Sequence, residues 1–326
     1  MRVNNNQIGM IFIIIGMLIY SFHDLAVKII ANETTIFQLF ITRAFVGVIV
    51  TLTCLKCLNY KIGVIPIYPK LTLIRCVLMH FGFFIFFISL EKLSLSTVTA
   101  LFFAAPFFIT ILSALVLSER IGLIRVVIIV LGFIGVFLIV KPFKESEFSF
   151  FMLAPLFTAF SYAVAMVISK YTKENENAFL QAFQQYSVSL LLSVITYTII
   201  LVFPLDMIDR EEWRFIFGPI KFDNYNILIS IAILSIFGTL GMTSLIHAYQ
   251  VGSPITNGPT EYVLLILAII NGYFFFGNIP DYLSLAGIIL IILGGWALFF
   301  REYKRSLLYT SPSPRDRQKS RMPAYA

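Results

Sequence analysis

Charged residues are scarce in this sequence: Asp, Glu, Lys and Arg make up 13% of its 326 residues, against about 25% in a soluble globular domain. Histidine and cysteine are rarer, at three residues each, and no histidine stands at a metal-ligand spacing. The nucleotide-binding motif G-x-x-x-x-G-K-[ST] is absent. These absences exclude a soluble domain and argue against a membrane-embedded enzyme, because such enzymes cluster His, Asp or Glu at one membrane face. We expect no cofactor and no metal.

Apolar residues dominate instead, at 59% of the chain with a mean hydropathy of +0.91. Apolar runs of about 20 residues, enough to cross a hydrocarbon core of about 30 Å, recur along the whole sequence. We therefore predict an all-α polytopic membrane protein without a soluble domain. Its ten transmembrane helices are predicted at residues 8–30, 35–55, 71–90, 96–117, 122–140, 149–170, 178–203, 227–250, 254–276 and 283–300.

Basic residues are distributed unequally between the two ends of these helices. With the N-terminus in the cytoplasm, twelve Lys and Arg residues flank the cytoplasmic side and six flank the other. The positive-inside rule then predicts that both termini are cytoplasmic. The net charge of +7 lies mostly at helix ends and in the C-terminal tail, so it does not indicate nucleic-acid binding. A composition rich in Ile, Phe and Asn is typical of AT-rich bacterial genomes, which favours a bacterial inner membrane.

The two halves of the chain resemble each other. Sliding helices 4–5 onto helices 9–10 places Gly135 on Gly294. Because each half holds five helices, the second half enters the membrane from the opposite side, and inverted repeats of this kind are typical of secondary transporters. We predict a first repeat at 1–140 and a second at 149–305. Residues 307–326 form a polar tail that resembles translated adapter sequence, and we assign it no functional role.

Three segments resemble one known family. The first is Pro106 followed by Glu119 at a helix end, the second is the stretch 258–302 with its Gly-Pro-Thr-Glu-Tyr start, and the third is Asp24-x-x-x-Lys28 with Arg43. Over residues 1–305 the chain resembles the drug/metabolite transporter superfamily, EamA type. It looks most like the subgroup that contains S-adenosylmethionine uptake transporters and riboflavin importers.

The resemblance implies two bundles of five helices with a substrate cavity between them, lined mainly by helices 1, 3, 4, 6, 8 and 9. It implies a secondary transporter of a small metabolite, with S-adenosylmethionine uptake as the best single substrate. Riboflavin import and export of amino acids or drugs stay open as alternatives. Partners are then the metabolite, the lipid bilayer, and protons or a counter-substrate; the oligomeric state is left open.

Ionisable residues inside the predicted spans are the candidate functional residues, because burying a charge in a membrane is costly. Glu261 lies about seven residues into helix 9, between Pro259 and Tyr262, with no basic residue at a comparable depth in helices 8–10. It suits either a proton-coupling carboxyl or a partner for a cationic substrate. The alternative is a protonated, hydrogen-bonded structural residue beside a helix kink.

A second charged group comes from helices 1 and 2. Asp24 and Arg43 lie at similar depths from the same side, and Lys28 follows Asp24 by one helical turn. They predict either a charged site for an anionic or zwitterionic substrate or a structural ion pair between the two helices.

Polar and proline residues complete the candidates. Tyr162 in helix 6, with Gln181 and Gln185 on one face of helix 7, either contact the substrate or form interhelical hydrogen bonds. Tyr262 is grouped with Glu261. Prolines within spans can kink helices and free carbonyl groups, as hinges in transporters do. The predicted hinges are Pro106, Pro155 and Pro259.

Overall fold

The computed structural model describes residues 4–30, 33–60, 66–93, 98, 101–119, 121–140, 150–202, 218–220, 224–276 and 281–310. Apolar runs of about 20 residues form its long helices, and polar side chains cap several of them. Thr35 and Asn224, for example, accept the backbone N–H of Gln38 and Ile227 at the starts of the second and eighth helices. The described helices are α1 (Asn5–Ile30), α2 (Ile36–Cys57), α3 (Pro69–Lys92), α4 (Ala105–Val116), α5 (Leu123–Val140), α6 (Leu153–Tyr171), α7 (Ala178–Val202), α8 (Tyr225–Val251), α9 (Pro254–Thr260), α10 (Val263–Phe276) and α11 (Tyr282–Thr310).

The prediction of an all-α membrane protein with ten spans is confirmed. In the described part of the chain α1 to α8 are eight spans, α9 and α10 together form the ninth, and α11 is the tenth. Among the described residues, six helices are long and apolar enough by themselves to cross a membrane. Large apolar side chains such as Leu115, Leu123 and Phe274 are at least 74% exposed, as expected for a surface that faces lipid rather than water.

Helix packing follows the predicted inverted repeat. Exchanging the halves turns α1 into α6, α2 into α7, α3 into α8, α4 into α9 with α10, and α5 into α11. The contact between α1 and α8 then corresponds to the contact between α6 and α3. The contact between α4 and α6 corresponds to the contact between α10 and α1. All four contacts are present. The pairs α2–α7 and α5–α11 map onto themselves and also pack closely. The two halves therefore meet around an approximate two-fold axis.

The structure corrects three details of the sequence prediction. The ninth span is not one helix, because a turn at Glu261 and Tyr262 separates α9 from α10. The tenth helix does not end near residue 300 but continues to Thr310, into the first residues of the predicted tail; residues 311–326 lie outside the described part. Arg75 and Arg125, counted as membrane-flanking charges, are buried in the early turns of α3 and α5.

Candidate functional site

Glu261 lies at the break in the ninth span. Pro259 has no N–H to donate, so it interrupts the helical hydrogen-bond ladder of α9. The chain then tightens: the Glu261 N–H donates to the Gly258 carbonyl over 3.1 Å, and the Leu264 N–H donates to the Glu261 carbonyl over 3.0 Å. These three-residue spacings are 3₁₀ geometry rather than α geometry. The break places the Glu261 side chain inside the bundle, where it is 2% exposed.

Two tyrosine hydroxyls hold the Glu261 carboxylate. Tyr162 of α6 donates to Oε1 over 2.6 Å, and Tyr249 of α8 donates to the same oxygen over 2.7 Å. Both tyrosines are themselves buried. Within the part of the chain that the structure describes, no hydrogen bond ends on Oε2. One carboxylate oxygen is therefore fixed by the protein, and the other is left to take a proton or a ligand.

The electrostatics of this carboxylate are unusual for a buried acid. Among the described residues no Lys or Arg forms an ion pair with Glu261. A buried charge without a counter-charge is costly, and two O–H donors offset only part of that cost. The site is therefore suited to a group that brings the missing positive charge, either a proton or a cationic ligand.

Aromatic and methionine side chains surround the carboxylate and its tyrosines. The ring centroid of Phe102 lies 5.8 Å from that of Tyr162, 6.0 Å from that of Phe83 and 5.7 Å from that of Phe86. Met17 of α1 and Met79 of α3 belong to the same cluster, as do residues of α4, α7 and α8. Aromatic faces attract cations and stack on flat rings. The surroundings thus suit a ligand that has both features.

Tyr262, predicted alongside Glu261, points into a neighbouring cluster instead. Its ring packs 5.7 Å from Phe103 and fills the space above Gly132 of α5, where an added Cβ would overlap it. The side chain is 1% exposed, and its hydroxyl has no hydrogen-bond partner among the described residues. Tyr262 fixes the start of α10 against α5 next to the Glu261 carboxylate.

The predicted hinge prolines occupy different settings. Pro259 interrupts α9, and Gly258 beside it packs against Pro106. Pro106 begins α4 after a turn at Phe103 and Ala104, so the fourth span is also interrupted. Pro155 lies in the first turn of α6, where its missing N–H costs no helical hydrogen bond. The interruptions of the two repeats therefore pack against each other.

The charged group of α1 and α2 is described only in part. The side chains of Asp24 and Lys28 lie outside the described part of the structure, so their relation to Arg43 stays a prediction. Arg43 is half-buried, and its Nε lies with the His23 ring beside Gly238 of α8. Arg43 thus reaches the contact between the two halves.

The structure does not bring Gln181 and Gln185 to Glu261. The Gln181 amide donates to the Ser169 and Glu176 carbonyls and to the Thr172 hydroxyl, and the Gln185 amide donates to the Cys76 carbonyl. Both side chains thus make hydrogen bonds at the end of the bundle where α6 turns into α7. Interhelical hydrogen bonding is the role that this geometry supports.

Sequence reasoning missed Tyr249. Its Cα lies three residues before the turn between α8 and α9, whereas Glu261 lies eight residues after that turn. At about 1.5 Å per residue the two Cα atoms differ in depth by several ångströms, so matching depths would not pair them. The long tyrosine side chain spans that difference. A buried tyrosine near a helix end was the available signal, and it is weak.

In the described part of the chain, no group of metal-ligating side chains accompanies the carboxylate. Among the residues that the structure describes, no group of three His, Cys, Asp or Glu side chains is placed to hold a metal ion. Cys54, Cys57 and Cys76 are free thiols, so the Cys-x-x-C pair at the end of α2 is not a disulfide.

The model of the EamA-like transporter family matches residues 7–141 and 149–300. The chain belongs to the EamA-like transporter family. The resemblance to the EamA type of the drug/metabolite transporter superfamily is therefore confirmed. Each matched segment contains five of the ten spans, so this EamA-like transporter has the two inverted five-helix repeats of its family.

Curated relatives of this transporter carry transport names. The S-adenosylmethionine uptake transporter of Rickettsia prowazekii (strain Madrid E) is 24% identical over 299 residues, which are 91% of this chain and 94% of the relative. That of Rickettsia conorii is 26% identical over 239 residues, 72% of this chain and 74% of the relative. The pseudopaline exporter CntI of Pseudomonas aeruginosa (strain PAO1) is 25% identical over 226 residues, 69% and 73% respectively. Family and relatives indicate a membrane transporter of a small molecule rather than an enzyme.

A solved structure supports the fold. A protein known from a crystal structure superposes with a TM-score of 0.70 at 17% identity, over 89% of this chain and 96% of that protein. This likeness concerns the arrangement of helices alone. The Glu261 site lies where the two repeats of the EamA-like transporter meet, which is where transporters built from inverted repeats bind their substrates.

Proposed function

We propose that this EamA-like transporter imports S-adenosylmethionine, or a similar cationic nucleoside-type metabolite, by alternating access. The observation that carries the proposal is the buried Glu261 carboxylate at a helix break, held by two tyrosines and without a basic partner among the described residues. The names of the Rickettsia relatives support the substrate. The inverted repeats support the mechanism.

The proposed substrate matches the chemistry of the site. S-adenosylmethionine carries a positively charged sulfonium next to a flat adenine ring. The free Oε2 of Glu261 supplies a negative partner for the sulfonium, and Phe102 with Tyr162 supplies aromatic faces for the ring or the cation. Because the carboxylate has no competing Lys or Arg among the described residues, a cationic ligand would be favoured over a neutral one of the same shape.

Glu261 also suits energy coupling. A carboxyl that binds either a proton or a cation can exchange an entering cationic substrate for a leaving cationic counter-substrate or a leaving proton. We propose that uptake is coupled to protons or to a counter-substrate through this group. The membrane is proposed to be the bacterial cytoplasmic membrane, with both termini inside. The ends of α4, α6 and α8 then face the cytoplasm together with the starts of α1, α3, α7 and α9.

Uptake of labelled S-adenosylmethionine into cells that express the transporter tests the proposal. We expect saturable uptake in the parent and loss of most of it in Glu261→Gln, which keeps the shape of the side chain and removes its charge. Glu174→Gln is the matched control because Glu174 is 80% exposed, and it should transport like the parent. Uptake that survives Glu261→Gln would reduce Glu261 to a structural residue. Absence of uptake by well-folded parent protein would exclude this substrate.

Export is the second candidate, because the relative CntI is named as an exporter and the geometry of a binding site does not fix the direction of transport. Cells preloaded with labelled amino acids, drugs or riboflavin separate this alternative from import. Export would be favoured if cells with the parent protein released one of these compounds faster than cells with Glu261→Gln. Riboflavin uptake in the same cells tests the remaining import alternative.

A further inference from the structure

A buried network of charged and amide side chains joins the two repeats at one end of the bundle. Arg75 of α3, in the first repeat, donates through Nη2 to the Gln181 carbonyl over 3.1 Å and to Gln184 Oε1 over 2.9 Å. The amide nitrogen of Gln184 in turn donates to Glu176 Oε1 over 3.2 Å. Gln184 thus bridges a cation of the first repeat and an anion of the second. We name Arg75, Glu176 and Gln184 the Arg75 network.

The Arg75 network is buried but only partly satisfied. Arg75 and Glu176 are each 1% exposed. Arg75 Nε and Glu176 Oε2 have no hydrogen-bond partner among the described residues. Removing two charges from water is costly when some of their polar atoms stay unpaired. Exposure of this end to water would hydrate these atoms, and this hydration would offset part of the cost of breaking the network.

A second set of contacts joins the repeats at the same end. The Ser253 N–H, between α8 and α9, donates to Asn6 Oδ1 of α1 over 2.8 Å, and the Ser253 hydroxyl donates to Glu119 after α4. Lys170 at the end of α6 donates to the carbonyls of Gln250, Val251 and Gly252 over 2.9, 3.2 and 2.6 Å. The Lys170 ammonium thereby caps the end of α8 and holds Ser253 in place.

We propose that the Arg75 network and the Ser253 contacts form a gate, closed in this structure, which opens when Arg75 and Glu176 separate and become hydrated. The gate lies at the end of the bundle that the proposed orientation places in the cytoplasm. This inference rests on the alternating-access mechanism proposed above, since that mechanism requires the repeats to separate at each end in turn. It does not depend on which metabolite is transported.

Cys76 is a native reporter for this gate. It directly follows Arg75, its carbonyl accepts the Gln185 amide over 3.2 Å, and its side chain is 0% exposed. The chain has three cysteines, so replacing Cys54 and Cys57 by alanine leaves Cys76 as the single thiol. When closing is fast relative to labelling, the rate at which N-ethylmaleimide modifies a buried thiol reports the population of the open state.

The experiment measures this rate on the full chain with Cys54→Ala and Cys57→Ala, reconstituted in vesicles without substrate. Glu176→Gln removes one charge of the network, and Gln184→Leu removes the bridge while keeping the side-chain volume. We expect either change to raise the rate of Cys76 modification by about tenfold or more. Glu174→Gln is the control: it makes the same substitution two residues away at an exposed position, and the rate should stay within about twofold of the parent.

A third variant keeps the test decisive if the first two variants do not fold. Glu119→Ala removes the acceptor of the Ser253 hydroxyl at a half-buried position, without touching the buried charges, and it should also raise the rate. Size-exclusion profiles that match the parent qualify each variant. An unchanged rate of Cys76 labelling in every folded variant would overturn the gate proposal. It would show that the Arg75 network is static packing. Failure of S-adenosylmethionine uptake would leave this result intact, so the two proposals fail separately.

Discussion

Two hydroxyl groups set the state of the Glu261 carboxylate. Tyr162 and Tyr249 donate to one oxygen from different helices, so the carboxylate keeps a fixed orientation as long as α6 and α8 stay beside α9. The fixed oxygen decides which way the free oxygen faces. At the scale of a single residue, selectivity for a positive group therefore depends on side chains that need not touch the substrate.

Tyr249→Phe removes one of these donors and leaves the ring in place. A hydrogen bond to a charged group contributes about 1.5–3 kcal/mol, so we expect KM for uptake to rise by about tenfold or more. Tyr171→Phe is the matched control, because Tyr171 is 53% exposed, and its KM should not change. An unchanged KM in Tyr249→Phe would show that the second hydroxyl does not hold the working carboxylate.

Gly132 tests the packing behind the site. An added Cβ would overlap the Tyr262 ring, which is buried against Phe103 and cannot easily move. We expect Gly132→Ala to destabilise the protein by about 1–3 kcal/mol, seen as a lower thermal midpoint in detergent. Gly295→Ala, where nothing lies within 4 Å of the new Cβ, should keep the parent midpoint. Equal midpoints for the two variants would contradict the tight contact.

Single residues also show the limits of reading the sequence. Glu261 was identified because a lone acid in an apolar span is conspicuous. Arg75 was not identified, because a basic residue near a helix start looks like a membrane-flanking charge until packing shows that it is buried. Tyr249 and Glu176 gain their roles only from hydrogen-bond partners that are separated from them along the sequence and belong to other predicted spans. The charge pattern contains no signal for those contacts.

At the scale of helices, the interrupted ninth span is the feature that most affects function. The sequence predicted its limits well, since an apolar run of sufficient length fixes a span. It did not place the turn at Glu261 and Tyr262, because Pro259 and the turn leave the hydropathy of the run unchanged. Which of several prolines breaks a helix depends on position: Pro155 lies in a first turn and Pro259 does not.

Pro259→Ala restores a backbone N–H within α9 and removes the steric conflict with the preceding turn. We expect a straighter ninth span, a thermal midpoint equal to or above that of the parent, and a several-fold slower maximal uptake rate, because the hinge is stiffened. Pro155→Ala, in the first turn of α6, should leave both quantities unchanged. A Pro259→Ala protein that transports at the parent rate would exclude the break as a hinge.

At the scale of the whole molecule, the two repeats and their contact determine the location of the site. The sequence predicted the ten spans and the inverted halves, because both follow from the spacing of apolar runs and an odd number of helices per half. It did not predict how the halves pack. Within the second half, the contacts of α6 with α8, and of α9 with both of them, bring Tyr162, Tyr249 and Glu261 together, and only tertiary packing fixes them.

Orientation is a prediction at this scale. We expect epitope tags at both termini to be reached only from the cytoplasm, because the basic residues flank that side. Antibody labelling of intact and permeabilised cells measures this, and a tag in the 203–223 connection serves as the outward-facing control. Labelling of either terminus in intact cells would reverse the topology and would place the Arg75 network at the outer face.

Glu261 is proposed to recognise a positive charge on the substrate. Equilibrium binding of S-adenosylmethionine and of S-adenosylhomocysteine, which lacks the methyl group and the sulfonium charge, tests it most directly in the parent and in Glu261→Gln. We expect the parent to favour the cation by about tenfold or more in Kd, about 1.4 kcal/mol, and Glu261→Gln to reduce this preference to within about twofold. A preference that persists in Glu261→Gln, or a parent that binds both compounds equally, would show that Glu261 does not recognise the charge.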